Sequence, residues 1–97
     1  MNAAITQQIS SYFKGKPIEK AWMFGSFSRG EERPDSDVDI LISFVPGTKM
    51  GLQYFGMIND LEAMLQRPVD LVVDGDLLPF AARTANKEKV LFYERAH

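Results

Sequence analysis

The sequence predicts an α/β fold of the α+β type: a small mixed sheet of three or four strands, helices packed on one face, and an acidic site at one end of the sheet. Three observations carry that expectation. Apolar residues recur at helical spacing in two stretches, short apolar runs bounded by turn residues separate them, and the whole fits within 97 residues. That length makes residues 1–97 one domain, ample for a modest core and too small for a second, substrate-binding domain. With 45% hydrophobic and 25% charged residues, the chain has the composition of a globular protein rather than a disordered one.

Residues 2–14 set Ile5, Ile9, Tyr12 and Phe13 at helical spacing, with Gln7, Gln8 and Ser11 on the other face and Gly15 as a stop, so a first helix is expected to pack on the sheet. Tyr12 on that stripe reads as core rather than as a ring for base stacking. Lys16-Pro17 connects to a first strand over residues 19–24, where Ala21-Trp22-Met23-Phe24 is a short apolar run and Trp22 a core or interface residue. The run stops at Gly25-Ser26, a turn at which the backbone can come close to a ligand. Residues 27–31 can start a short helix, so the free N–H groups after Gly25, with the Ser26 hydroxyl, would form an anion site suited to phosphate.

Arg33-Pro34-Asp35-Ser36 is turn chemistry, with Ser36 bonding the backbone, and residues 37–44 alternate as a second strand that Pro46-Gly47 brings to an end. Residues two apart in a strand face the same way, so Asp37 and Asp39 point together while Val38, Ile40, Ile42 and Phe44 point to the other side. Two like charges so placed repel unless they share a cation, and oxygen ligands of that kind favour Mg²⁺ or Mn²⁺.

Residues 50–66 carry Tyr54, Met57, Ile58, Leu61, Met64 and Leu65 at three- and four-residue spacing, which makes an amphipathic helix of about four turns, slightly weakened by Gly51 and Gly56. Its methionines read as gap-filling core residues. Arg67-Pro68 ends it, and Val69-Asp70-Leu71-Val72-Val73-Asp74 is a third strand. Asp70 is an acid inside an apolar strand, a placement rarely buried without a partner. Asp74 looks like an end-of-strand turn residue. Residues 77–87 resemble a short helix with Leu78, Ala81, Ala82 and Ala85 inward, Val90-Leu91-Phe92-Tyr93 reads as a fourth short strand, and the terminal His97 reads as solvated. Phe27, Tyr54 and Phe92 each read equally as core or as part of a patch for a partner.

Composition bounds the function classes. No run approaches the roughly 20 apolar residues of a membrane span, and the first residues lack the pattern of a signal peptide, so no membrane association is expected. Without cysteine there are no disulfides and no thiolate metal sites, which fits a cytoplasmic protein. A formal net charge of −2 gives no electrostatic case for nucleic acid as a partner.

Gly25-Ser26, ten intervening residues and then Asp37-x-Asp39, within the longer pattern G-S-x-x-R-G…S-D-x-D, resemble the signature of the DNA polymerase β-like nucleotidyltransferase superfamily. With its small size the chain resembles, more narrowly, the minimal nucleotidyltransferases (MNT), which retain little beyond a catalytic core. The close match covers residues 23–41, and the order of elements extends it over most of the chain. A solvated acid cluster would explain the acids but not the Gly-Ser turn at that spacing.

The resemblance implies a nucleotidyltransferase fold with a third carboxylate on the next strand, a place that Asp70 occupies. Asp37, Asp39 and Asp70 would then bind two divalent ions, Mg²⁺ or Mn²⁺, about 4 Å apart for in-line phosphoryl chemistry. Asp37 and Asp39 would hold both ions, one of which carries the triphosphate of the incoming nucleotide. Asp70 would complete the second ion's shell and help deprotonate the acceptor hydroxyl. Gly25 and Ser26 would cradle the β- and γ-phosphates. Arg29 either pairs with phosphate oxygens or braces the turn against Glu31, Glu32 or Asp35. Attack at the α-phosphorus would release pyrophosphate and leave a nucleoside monophosphate on the acceptor.

Larger members of the superfamily hold the acceptor with an additional domain, so here the missing surface would come from a second chain or from a second copy in a homo-oligomer. For minimal nucleotidyltransferases the resemblance implies a HEPN-type helical partner encoded alongside. In that toxin–antitoxin arrangement the nucleotidyltransferase is the antitoxin and transfers AMP from ATP to a tyrosine of the toxin. Two other readings stand beside it: the catalytic subunit of a split small-molecule nucleotidyltransferase of the antibiotic-modifying type, and a non-catalytic antitoxin that keeps the motif for nucleotide binding alone.

Overall fold

The computed structural model describes residues 3–25, 30, 37–49, 51–73 and 89–96. Helix α1 (Ala3–Phe13) leads into strands β1 (Ile18–Phe24) and β2 (Val38–Phe44), then helix α2 (Gln53–Leu65) and strands β3 (Val69–Val73) and β4 (Val90–Glu94). The strands form one sheet in the order β3-β2-β1-β4. β1 pairs antiparallel with both β2 and β4, whereas β2 and β3 run parallel, so the sheet is mixed as expected. The helix expected over residues 77–87 lies outside the described residues. So does the short helix over residues 27–31, except for Gly30, whose φ of 70° is not helical.

Both described helices cover one face of the sheet, because each presents an apolar stripe at four-residue spacing. Ile5, Ile9 and Phe13 of α1 and Met57, Leu61 and Leu65 of α2 join Ile18, Ala21, Met23, Val38, Ile40, Ile42, Val69 and Leu71 of the sheet in one core cluster. Tyr54 and Phe92 pack against that cluster, which resolves them towards core. Among the described residues the large apolar side chains left in water are instead Leu52, 84% exposed, and Phe55, 60% exposed, at the start of α2, with Val90 and Leu91 on β4. Leu41 is fully buried between the core residues Ile40 and Ile42 yet stands outside their cluster, so β2 is buried on both faces at its centre, the usual lot of an interior strand with a parallel neighbour.

Local chemistry explains where the elements stop. β2 ends in a turn in which Thr48 N–H bonds the Val45 carbonyl at 3.0 Å. Pro46 and a Gly47 at φ 85° are the residues a type II turn requires at its two centres. α2 begins at Gln53, later than the periodicity suggests, because the Gln53 side chain accepts from Gly51 N–H and holds the chain in a bend there. It ends one residue before Arg67-Pro68: Gln66 takes the left-handed conformation, with φ 56°, and its N–H bonds the Glu62 carbonyl at 2.8 Å.

The helices also hold the sheet's outer strands. On β3, Val69 N–H donates to Glu62 Oε2 at 3.0 Å and Tyr54 Oη donates to the Leu71 carbonyl, so α2 satisfies groups on the side of β3 that β2 does not reach. On β4, the Ser10 hydroxyl donates to the Phe92 carbonyl and Tyr93 Oη to the Phe13 carbonyl, each at 3.4 Å. The two helices are tied to each other by Tyr12, whose hydroxyl donates to Asp60 Oδ2 at 2.6 Å under a ring that Lys16 Nζ overlies at 5.1 Å. No helix among the described residues is long and apolar enough to cross a membrane.

Two expectations follow from this packing. A Cβ at Gly56, inside α2, would meet no atom within 4 Å. Gly56→Ala should therefore stabilise the protein by about 1 kcal/mol through helix propensity and a less free unfolded chain, read in thermal unfolding as a Tm rise of about 4–8 °C. Burial first, and then the Asp60 carboxylate, hold the Tyr12 hydroxyl above the usual tyrosine range. The folded state thus keeps a proton that the unfolded chain releases near pH ~10. The associated stability is whole below that pH and declines as pH rises through it. Tm measured from pH 8 to 11 should fall more steeply for the parent protein than for Tyr12→Phe.

Candidate active site

The site is built where three strands reach the same end of the sheet. β1 ends at Phe24 and turns at Gly25, whose φ of 71° favours glycine. Phe24 pairs with Asp39 of β2, and Asp39 pairs in turn with Asp70 of β3. Because β2 and β3 run parallel, the two acids stand side by side with backbones about 4.8 Å apart. Asp37 lies just before β2, two residues from Asp39 and therefore on the same side of the strand. Val38 between them is fully buried, and its N–H bonds the Pro68 carbonyl at 2.9 Å, the bond that brings β3 alongside. Asp37 and Asp70 are exposed, while Asp39 is half-buried.

The half-burial of Asp39 has a specific cause. Its carboxylate fills the space beside Gly25: a Cβ built there would collide with Asp39 Oδ2 and lie 3.3 Å from Cγ. Glycine at position 25 therefore answers two demands together, a left-handed backbone and room for a carboxylate. Gly25 and Asp39, the two ends of one sequence pattern, meet directly in the structure.

All three sequence-predicted acids thus share one corner of the sheet. Among the described residues no three acidic or histidine side chains converge closely enough to enclose a metal ion. The donor chemistry nonetheless suits a hard divalent cation, since every ligand offered is a carboxylate oxygen. Asp39 and Asp70 are cross-strand neighbours on one face, so side-chain rotation without backbone movement would bring their carboxylates onto a shared ion. Ser26 and Arg29, expected at the phosphate site, lie outside the described residues, as do Asp74 and His97.

One feature of this corner was not singled out in the sequence. Trp22, read as core or interface, pairs with Leu41 and so belongs to the face that carries Asp39. Lys89 Nζ sits over its ring, 4.5 Å from the centroid. Only the register of β4 on β1 brings these residues together, and a local pattern search cannot find it.

With this geometry in hand, similarity to known proteins is informative. The chain matches the family model of the nucleotidyltransferase domain over residues 5–95. It is 38% identical over 73 residues to the protein adenylyltransferase MntA of Thermococcus cleftensis, which spans 75% of this chain and 73% of that protein. A solved structure described as a candidate minimal nucleotidyltransferase is 30% identical with a TM-score of 0.73, covering 90% of this chain and 88% of the other. Two more distant neighbours share the fold. A chain from a toxin–antitoxin crystal structure with AMP-PNP has a TM-score of 0.79 at 18% identity, covering 93% of this chain and 73% of its own. A chain from the tri-AMPylated Shewanella oneidensis HEPN toxin in complex with MNT antitoxin has a TM-score of 0.76 at 16% identity, covering 98% and 74%.

The contact at Gly25 is testable by itself. Gly25→Ala should destabilise the protein by about 2 kcal/mol, from left-handed strain and the displaced carboxylate together. Gly25→Ala should lower Tm less in an Asp39→Gly background than in the parent, because that substitution vacates the space; equal losses in the two backgrounds would show that the carboxylate does not press on residue 25.

Proposed function

This chain belongs to the nucleotidyltransferase domain family, and from that membership we propose that it transfers AMP from ATP to a tyrosine hydroxyl of a HEPN-type partner and so acts as the antitoxin of the pair. The observation that carries this reading is the single corner shared by Gly25, Asp39 and Asp70, with Asp37 beside them. The name of the Thermococcus cleftensis relative supports the chemistry, and the HEPN toxin in the Shewanella oneidensis complex supports the acceptor. ATP as donor fits a cytoplasmic site of action.

In this reading Asp37, Asp39 and Asp70 would hold Mg²⁺, with Mn²⁺ as a substitute. Two such ions would neutralise the triphosphate and polarise the α-phosphate. The turn after Gly25, with Ser26, receives the β- and γ-phosphates, and Arg29 lies within the same segment. Asp70, exposed on β3, would complete the second ion's shell and help take the proton from the attacking hydroxyl. The acceptor oxygen bonds to the α-phosphorus as the bond to the β-phosphate oxygen breaks, and pyrophosphate departs. Positioning and charge neutralisation supply most of the rate, as in phosphoryl transfer generally.

The test uses the purified chain with the HEPN-type protein encoded beside it, Mg²⁺ and ATP labelled on the α-phosphate. A labelled partner band is expected, lost on chelation and lowered about a hundredfold or more by Asp39→Asn. Protection of cells from the toxin by Asp39→Asn as good as that by the parent would point to an antitoxin acting by contact alone. Consumption of ATP without a labelled protein would point to a small-molecule acceptor.

A further inference from the structure

The strand registers place a cation on the acidic corner's own face. The β1–β4 register runs to Met23 opposite Val90, so the next residue, Lys89, stands beside Phe24. Phe24 pairs with Asp39, and Asp39 with Asp70. Phe24, Asp39 and Asp70 therefore form a row across β1, β2 and β3, and Lys89, the residue just before β4, continues it, with its backbone roughly 10 Å from that of Asp39 at the usual strand spacing. The Lys89 side chain lies on the acid-bearing face, because Nζ is 4.5 Å from the ring centroid of Trp22. Lys20, on the same face, is engaged by Glu94 at 3.5 Å; among the described residues no carboxylate pairs with Lys89.

We propose that Lys89 binds the polyphosphate chain of the nucleoside triphosphate, with the Trp22 ring holding its ammonium ready until the substrate arrives. The assignment rests on the nucleotidyltransferase reading above and adds a residue to it. A cation–π contact at a partly open site is weaker than a charge-assisted hydrogen bond to phosphate, so the substrate can draw the ammonium off the ring. Lysine suits that task, as a compact charge on a flexible stem that tolerates movement of the chain it grips. The row then has a sense: acids for the metal-bound side of the substrate at β2 and β3, and a cation for its uncompensated negative charge beyond β1.

Trp22 is the chain's single tryptophan, so its emission reports on the ammonium above it. The experiment titrates ATP with Mg²⁺, and separately adenosine, into the parent, Lys89→Met, Lys89→Arg and Lys20→Met proteins, following Trp22 emission and confirming affinities by calorimetry. Lys89→Met keeps the aliphatic stem on the ring and should weaken ATP binding about tenfold while leaving adenosine binding unchanged. Lys89→Arg should restore ATP affinity to within about threefold of the parent, since it returns the charge, and Lys20→Met should match the parent. ATP affinity of Lys89→Met equal to the parent's at equal Tm would overturn the assignment, as would equal losses for ATP and adenosine. A parent protein that binds no ATP would overturn the nucleotidyltransferase reading itself, and this assignment with it.

Discussion

The Asp39 carboxylate occupies the space that a side chain at position 25 would need, and much of the fold serves to keep those two residues in contact. Asp39 cannot drift, because the strand that bears it is buried on both faces a residue or two further on, at Ile40, Leu41 and Ile42. Gly25 cannot drift either, because Met23 is fully buried two residues before it and Phe24 is in register with Asp39. A small movement of either strand would require repacking a close-packed core, which resists continuous deformation. Apolar packing just beneath the contact therefore fixes where the two backbones stand.

The parallel β2–β3 pairing extends that precision to the second strand. Asp70 reaches its place because the chain leaves α2 through a left-handed Gln66 and passes Pro68, whose carbonyl accepts from Val38. α2 then secures β3 from the far side, through Glu62 to Val69 and Tyr54 to Leu71. One helix thus both covers the core and closes a strand edge.

Much of this was legible in the sequence. Both described helices and the four strands of the sheet follow from periodicity and turn residues; the glycine and the acid pair stand out by motif spacing, and Asp70 as an acid within an apolar strand that the resemblance matches to a third carboxylate. What was not legible depends on pairing between distant segments. Nothing local states that β3 runs parallel to β2, that Leu41 would find cover on the face shared with two aspartates, or that Lys89 would come level with Phe24. The ends of α2 were missed by a few residues because side-chain bonds at Gln53 and a left-handed glutamine override propensity there. The apolar exposure at Leu52 and Phe55 was missed because helical periodicity identifies the buried stripe more surely than the residues beside it.

Asp37 and Asp70 are exposed to solvent. Charges in open water interact weakly, since the solvent screens them, and a phosphoryl transfer site gains its force when water is excluded. In larger enzymes an additional domain can close over the carboxylates. Here the acids lie at the rim of the sheet, and the β3 edge beside them is engaged by α2, so strand addition along that edge is disfavoured. Under the proposed protein acceptor, the way left open is over the end of the sheet, and a partner docking there would itself displace the solvent. On that reading substrate recognition and desolvation become the same event, and the choice of acceptor becomes a property of the docked pair.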